Sequence, residues 1–157
     1  MPRILRISVI VLIHSAVTVS IAGAASWKGI EPLVSRRADV VRVLGQPASE
    51  NSADASMRFA TREGQVTVYL VTRDFAAQKG WGPAYEGSVV QIILQHEKAP
   101  NTPRSLGLEG NRQFTREVRG DSVFYRNRKE GVIYIFKEGK LATTIYSPKD
   151  GGPGTDD

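Results

Sequence analysis

The feature that most limits what this chain can fold into is a set of short glycine turns between segments of alternating side chains. Arg62-Glu63-Gly64 separates Met57–Thr61 from Gln65–Thr72. Glu130-Gly131 separates Ser122–Asn127 from Val132–Lys137, and Glu138-Gly139 leads on to Lys140–Ser147. Connections this short make successive strands antiparallel neighbours. Within Gln65–Thr72, Val66, Val68 and Leu70 share one face and Thr67, Tyr69 and Val71 the other; in Ser88–Gln95, Val90, Ile92 and Leu94 share a face. Ahead of the strands, Ser35 as N-cap, Val40, Val41 and Leu44 on one face, and Gly45 with Pro47 as the stop predict a helix over Arg36–Leu44. The expectation is an α+β fold, a short N-terminal helix packed on an antiparallel sheet of about six strands. Glu63-Gly64 precedes Tyr69 much as Glu130-Gly131 precedes Tyr134. With Asn111–Arg119 read as a second helix, this hints at a duplicated helix-plus-three-strand unit. Arg73–Gly87 and Glu97–Gly110 read as loops.

The first 25 residues read as a signal peptide. Arg3 and Arg6 are followed by an apolar stretch from Ile7 to Ile21 and then by Ala22-Gly23-Ala24-Ala25-Ser26, small residues that fit cleavage after Ala24 or Ala25. The apolar run is shorter than the roughly 20 residues a bilayer span needs. The chain thus divides into a leader over 1–25, one α+β domain over 26–148 and a polar, glycine-rich, disordered tail over 149–157. The expected compartment is secreted or periplasmic, and the processed chain is not membrane-spanning. With 157 residues in all, the remainder is long enough to build a core without metal or disulfide staples.

Composition removes several chemistries. The chain has no cysteine, which excludes disulfides, thiolate metal sites, cysteine nucleophiles and a lipid-bearing N-terminal cysteine. Its two histidines are His14, inside the leader, and His96, so no multi-histidine metal site can be built. His96 could serve a serine nucleophile as base, but no Gly-x-Ser-x-Gly turn presents one, and an exposed strand-end histidine is the expected role. Gly107-Leu108-Glu109-Gly110 lacks the spacing of a phosphate loop. No catalytic, cofactor-binding or metal-binding residue is assigned. A formal charge of +5, two of whose bases lie in the leader, together with an export signal, argues against nucleic acid as a partner.

Two surfaces remain as binding candidates. Arg104, Arg112, Arg116, Arg119, Arg126, Arg128 and Lys129 crowd into the second half, and guanidinium groups hold phosphate and carboxylate in a planar fork. Glu109, Glu117, Asp121 and Glu130 are interspersed, so a solvated mixed-charge face is the alternative. On a strand Phe124, Arg126 and Arg128 point one way and Tyr125 and Asn127 the other. If Phe124 is exposed it joins the arginines in an aromatic–cationic surface; if it faces the core, the arginines lie at the sheet's edge. Trp81 and Tyr85, in a glycine-rich loop, either anchor a partner or fold back over the sheet. The candidate surface is Trp81, Tyr85, Phe124, Arg126, Arg128 and Lys129.

The stretch WKGIEPLVSRRADVVRVLGQP, through Trp27, Gly29, Ile30, Pro32, Leu33, Ser35, Arg37, Asp39, Val40, Leu44, Gly45 and Pro47, resembles the N-terminal signature of a family of small secreted bacterial proteins of unknown function. Trp81, Gly87 and Ile92, then Tyr125, Asn127, Gly131, Tyr134 and the IYSP of Ile145–Pro148, extend the likeness. That family has no assigned activity, so the resemblance implies export and fold but no chemistry; the cysteine its members often carry is missing here. A looser likeness runs to outer-membrane assembly lipoproteins and β-lactamase-inhibitor-like domains, which act by binding proteins. The expected function is therefore a non-catalytic secreted or periplasmic module, without cofactor, that binds an envelope protein or an anionic envelope polymer. A carboxylate-based hydrolase acting on such polymers is the alternative.

Overall fold

A computed structural model describes residues 25–153. The leader expected over 1–25 lies, apart from Ala25, outside the described residues, as does 154–157 of the expected tail. The fold is α+β. Eight strands form one antiparallel sheet: β1 (Ser49–Asn51), β2 (Ser56–Thr61), β3 (Gly64–Leu70), β4 (Val89–His96), β5 (Thr115–Arg119), β6 (Ser122–Asn127), β7 (Val132–Lys137) and β8 (Lys140–Tyr146). Helix α1 (Arg37–Leu44) precedes them and α2 (Arg73–Lys79) links β3 to β4. The spatial order is β1-β2-β3-β4-β8-β7-β6-β5. Two four-stranded meanders therefore meet at the β4/β8 pair, where Ile92, Ile93, Leu94 and Gln95 face Tyr146, Ile145, Thr144 and Thr143.

Glycine makes two of the turns workable. Gly64 and Gly131 both have positive φ, and a Cβ on either would run into a backbone carbonyl, of Gln95 or of Ser147. Only glycine allows so close a strand approach at such an angle.

Four expectations are corrected. The strands number eight, not about six, because β1 and β5 are edge strands with mostly exposed side chains and so carry no core-facing stripe. Asn111–Arg119 is not a helix: the Asn111 carboxamide accepts from Gln113 N at 3.0 Å, an Asx turn, and the chain then runs straight into β5. The unit of each half is four strands, and a helix precedes only the first, so the helix-plus-three-strand repeat does not describe the fold. Arg73–Gly87 contains α2, with Thr72 accepting from Phe75 N at 3.1 Å at its start and left-handed Gly80 at its end.

One face of the sheet is covered. Trp27, Ile30 and Val40 pack on Met57, Phe59, Val66, Val68, Ile92 and Leu94. Beyond the β4/β8 seam, Leu106, Leu108 and Phe114 from the long 97–114 connection pack on Tyr125, Phe136 and Leu141. A third cluster, Val71, Ala76 and Trp81 with Phe75 and Tyr85, packs α2 and its following loop. The other face of the central strands is left open.

Candidate functional site

The site begins with the β6–β7 turn, which is braced from both ends of the described chain. Ala25 N donates to Glu130 O at 2.7 Å, Asp150 N to Arg128 O at 2.9 Å and Ser147 N to Gly131 O at 2.8 Å. Inside the turn, the Asn127 carboxamide accepts from Glu130 N at 3.1 Å. The tail expected from 149 onward opens with a 3-10 turn, Lys149–Gly151, that makes one of these contacts. Around the braced turn lies a groove of about 750 Å³. Arg112, Arg126, Arg128, Lys129 and Lys149 line it, against one acid, Glu130. None of the five cations takes part in an ion pair among the described residues. A smaller hollow of about 270 Å³ adjoins it through Arg126 and Arg128 and reaches Ile133 and Pro148.

Of the basic residues singled out in the second half, Arg104 and Arg119 stand apart. Arg104 pairs with Glu109 at 3.1 Å and Arg119 with Glu117 at 2.7 Å. Phe124 and Arg126 do share the face opposite the core, as strand alternation requires: Tyr125, between them, is buried in the second cluster. Phe124 is half-buried, with the Arg119 guanidinium 5.6 Å from its ring centroid. Lys149 could not be found by strand reasoning, because it reaches the groove only through the return of the chain after β8.

Trp81 and Tyr85 do not form part of this surface. Trp81 is 8% exposed, and its ring meets Phe75 edge-on at 5.4 Å and Tyr85 at 6.1 Å. The loop carrying them is held in place by the Arg36 guanidinium, which donates to the carbonyls of Ala84 at 2.8 Å and Glu86 at 2.9 Å. Trp81 thus closes the end of the sheet, the second of the two roles open to it.

The titratable groups were also tested for catalysis. His96 is not an exposed strand-end residue: it is half-buried and its Nε2 lies 2.9 Å from Thr144 Oγ1 at the β4/β8 seam. Thr144 is 2% exposed, so its hydroxyl meets no substrate. Burial lowers the His96 pKa, against a smaller raising influence of Glu63. Glu63 is itself held low by a hydrogen bond from Lys28 at 2.7 Å and further by the Trp27 indole N–H. Asp39 is lowered by the Arg36 backbone N–H and then by Arg42, and Glu117 by Arg119. Every carboxylate with a resolved shift among the described residues is thus displaced downward, whereas a general acid needs the opposite. No group of three or more metal-ligating side chains occurs among the described residues. No helix there is long and apolar enough to cross a membrane.

No protein-family model, curated protein or solved structure matches this chain.

Proposed function

We propose that this chain is a non-catalytic module of the bacterial cell envelope or its exterior, and that it binds an anionic partner, polymer or protein, in the groove at the β6–β7 turn. The observation that carries the reading is the convergence of Arg112, Arg126, Arg128, Lys129 and Lys149 on one groove with a single acid among them. Cations normally sit beside carboxylates that neutralise them, as Arg104 and Arg119 do here. Five left without such partners, on a turn braced by three backbone hydrogen bonds, form a preorganised positive site. Guanidinium and ammonium groups there favour phosphate or carboxylate, and no neutral ligand would recover the repulsion among them. The hydrolase alternative draws no support from carboxylates that are ionised and ion-paired.

Removal of the leader after Ala24 or Ala25 agrees with the structure's first contacts. Trp27 is the first core residue, and the Ala25 nitrogen binds the groove's own turn. Protein recovered from an exporting host should therefore begin at Ala25 or Ser26, which its intact mass tests.

The binding test uses inorganic polyphosphate and poly-glutamate as probes on the processed chain. Affinity should fall as salt rises, because exposed charges are screened beyond about 10 Å at 0.1 M salt. An Arg128→Glu/Lys149→Glu variant should bind roughly tenfold or more weakly, a change of about 1.4 kcal/mol. Equal binding by variant and wild type would defeat the proposal.

A further inference from the structure

We propose that the open face of the sheet docks an amphipathic helix with acidic flanks, carried by a partner protein. The proposal rests on the reading of this chain as a binding module and gives it a second contact beside the groove. The bare face of an antiparallel sheet ordinarily shows polar side chains. Here the three central strands put Ile93, Ile145 and Ile133 in direct register. The next row sets Ile135 beside Thr143 and Phe124. All four isoleucines are only half-buried, and none belongs to any of the three hydrophobic clusters. They stabilise nothing inside this chain that a threonine would not, and they form a contiguous apolar patch of the kind that marks an interaction site.

The frame of the patch says what covers it. From β2 to β6 one row reads Arg58, Thr67, Ile93, Ile145, Ile133, Arg126. Arg119, Lys137 and Lys140 lie on the same face by the same register. The strand residues of this face include one acid, Glu117, already paired with Arg119. A second copy of the chain laid face to face would set these cations against their own kind. An anionic bilayer would meet half-buried side chains on a sheet that does not project them into it. A helix is about 10 Å across, and three strands at about 4.8 Å spacing present a matching width. Its apolar stripe covers Ile93, Ile145 and Ile133 while acids on its shoulders reach Arg126 on one side and Arg58 on the other.

The probe is a synthetic helical peptide with leucines on one stripe and glutamates on both flanks. The control has the same composition with its leucines spread around the helix. Titrated into the processed chain and followed by amide NMR, the striped peptide should shift resonances on β4, β7 and β8, and the control should not. Ile145→Thr/Ile133→Thr should weaken binding about tenfold or more. Arg58→Glu, at an exposed position that does not challenge folding, should weaken it several-fold. Equal binding of the two peptides overturns the proposal, as do shifts confined to the groove, indifference to Arg58→Glu, or self-association through Ile145. Ile145-dependent capture of phosphatidylglycerol vesicles in place of the peptide assigns the face to a membrane and overturns it too. The groove and the face separate cleanly. Arg128→Glu/Lys149→Glu should lose polyphosphate and keep the helix; a chain that binds polyphosphate but never the helix defeats this inference and leaves the groove standing.

Discussion

His96 and Tyr146 sit on opposite sides of the β4/β8 seam, and both carry a pH dependence that follows from burial. The imidazole is held below its usual 6.5 by desolvation. As pH falls through 6.5, the unfolded chain takes up a proton that the folded chain refuses, so stability falls with it. Chemical denaturation between about pH 7 and about pH 5 should show this slope, in the range where histidine titrates. His96→Gln should flatten it. A later loss, below 4.5, belongs to Glu63, whose lowered pKa contributes stability that vanishes on protonation. At the alkaline end, burial pushes Tyr146 up to about 12, with Tyr134 and Glu63 adding to the effect. Above the ordinary phenol value of 10.0 the unfolded chain releases a proton that the folded chain keeps, so stability declines toward 12. The slope is at most about 1.4 kcal/mol per pH unit. Tyr146→Phe should remove most of it, with a remainder from Tyr134, which burial also raises.

Helix α1 shows how far periodicity reaches at the scale of an element. Val40, Val41 and Leu44 were expected to face the sheet together. Val40 is fully buried in the first cluster, whereas Leu44 is half-buried at its margin. On the sheet side, Val66, Val68 and Ile92 take their expected places, while Val89 substitutes for Val90, which packs with Trp81 instead. The cause is the register shift between Tyr69 and Leu70, which pairs Leu70 with Val89 and leaves Val90 unpaired with β3. Val40→Ala should therefore cost about 2 kcal/mol, and more than Leu44→Ala, although the latter removes the larger side chain. Denaturation midpoints in the reverse order would mean that the helix is rotated on the sheet. The N-cap differs too. Ser35 was the expected cap, but its hydroxyl accepts from Glu31 N at 2.9 Å, and Arg36 takes the position with its N–H donating to Asp39 at 2.9 Å. Helix α2 carried a legible signal, Thr72 three residues before Phe75 and Gly80 at the end, which the surrounding glycines and Pro83 masked.

At the scale of the whole molecule, two cores on one face are joined only through a shared sheet. Both tryptophans lie in the first half, Trp27 in the α1 cluster and Trp81 in the α2 cluster, while Phe136 anchors the second half. A chain of this size held by a continuous β4/β8 pairing should unfold in one transition. Phe136→Ala should cost about 3–5 kcal/mol. It should shift the tryptophan fluorescence midpoint as far as the circular dichroism midpoint, although no tryptophan is near it. Separate midpoints would show that the meanders melt independently.

The sequence by itself determined the α+β class and the antiparallel turns, and it placed β6 and β7 to the residue, because alternation and positive-φ glycines are local properties. It also set Phe124 and Arg126 on the side of β6 away from Tyr125, for the same reason. The edge strands β1 and β5 were not legible, since a strand with no buried face leaves no stripe. Only the tertiary structure decided that Trp81 turns inward, that Lys149 returns to join Arg112 and Arg126, and that Ile93, Ile145 and Ile133 align. Each of these depends on which strands become neighbours, and the β4/β8 pairing that decides it joins residues some fifty positions apart. Which face a strand presents is local; what stands beside it is not.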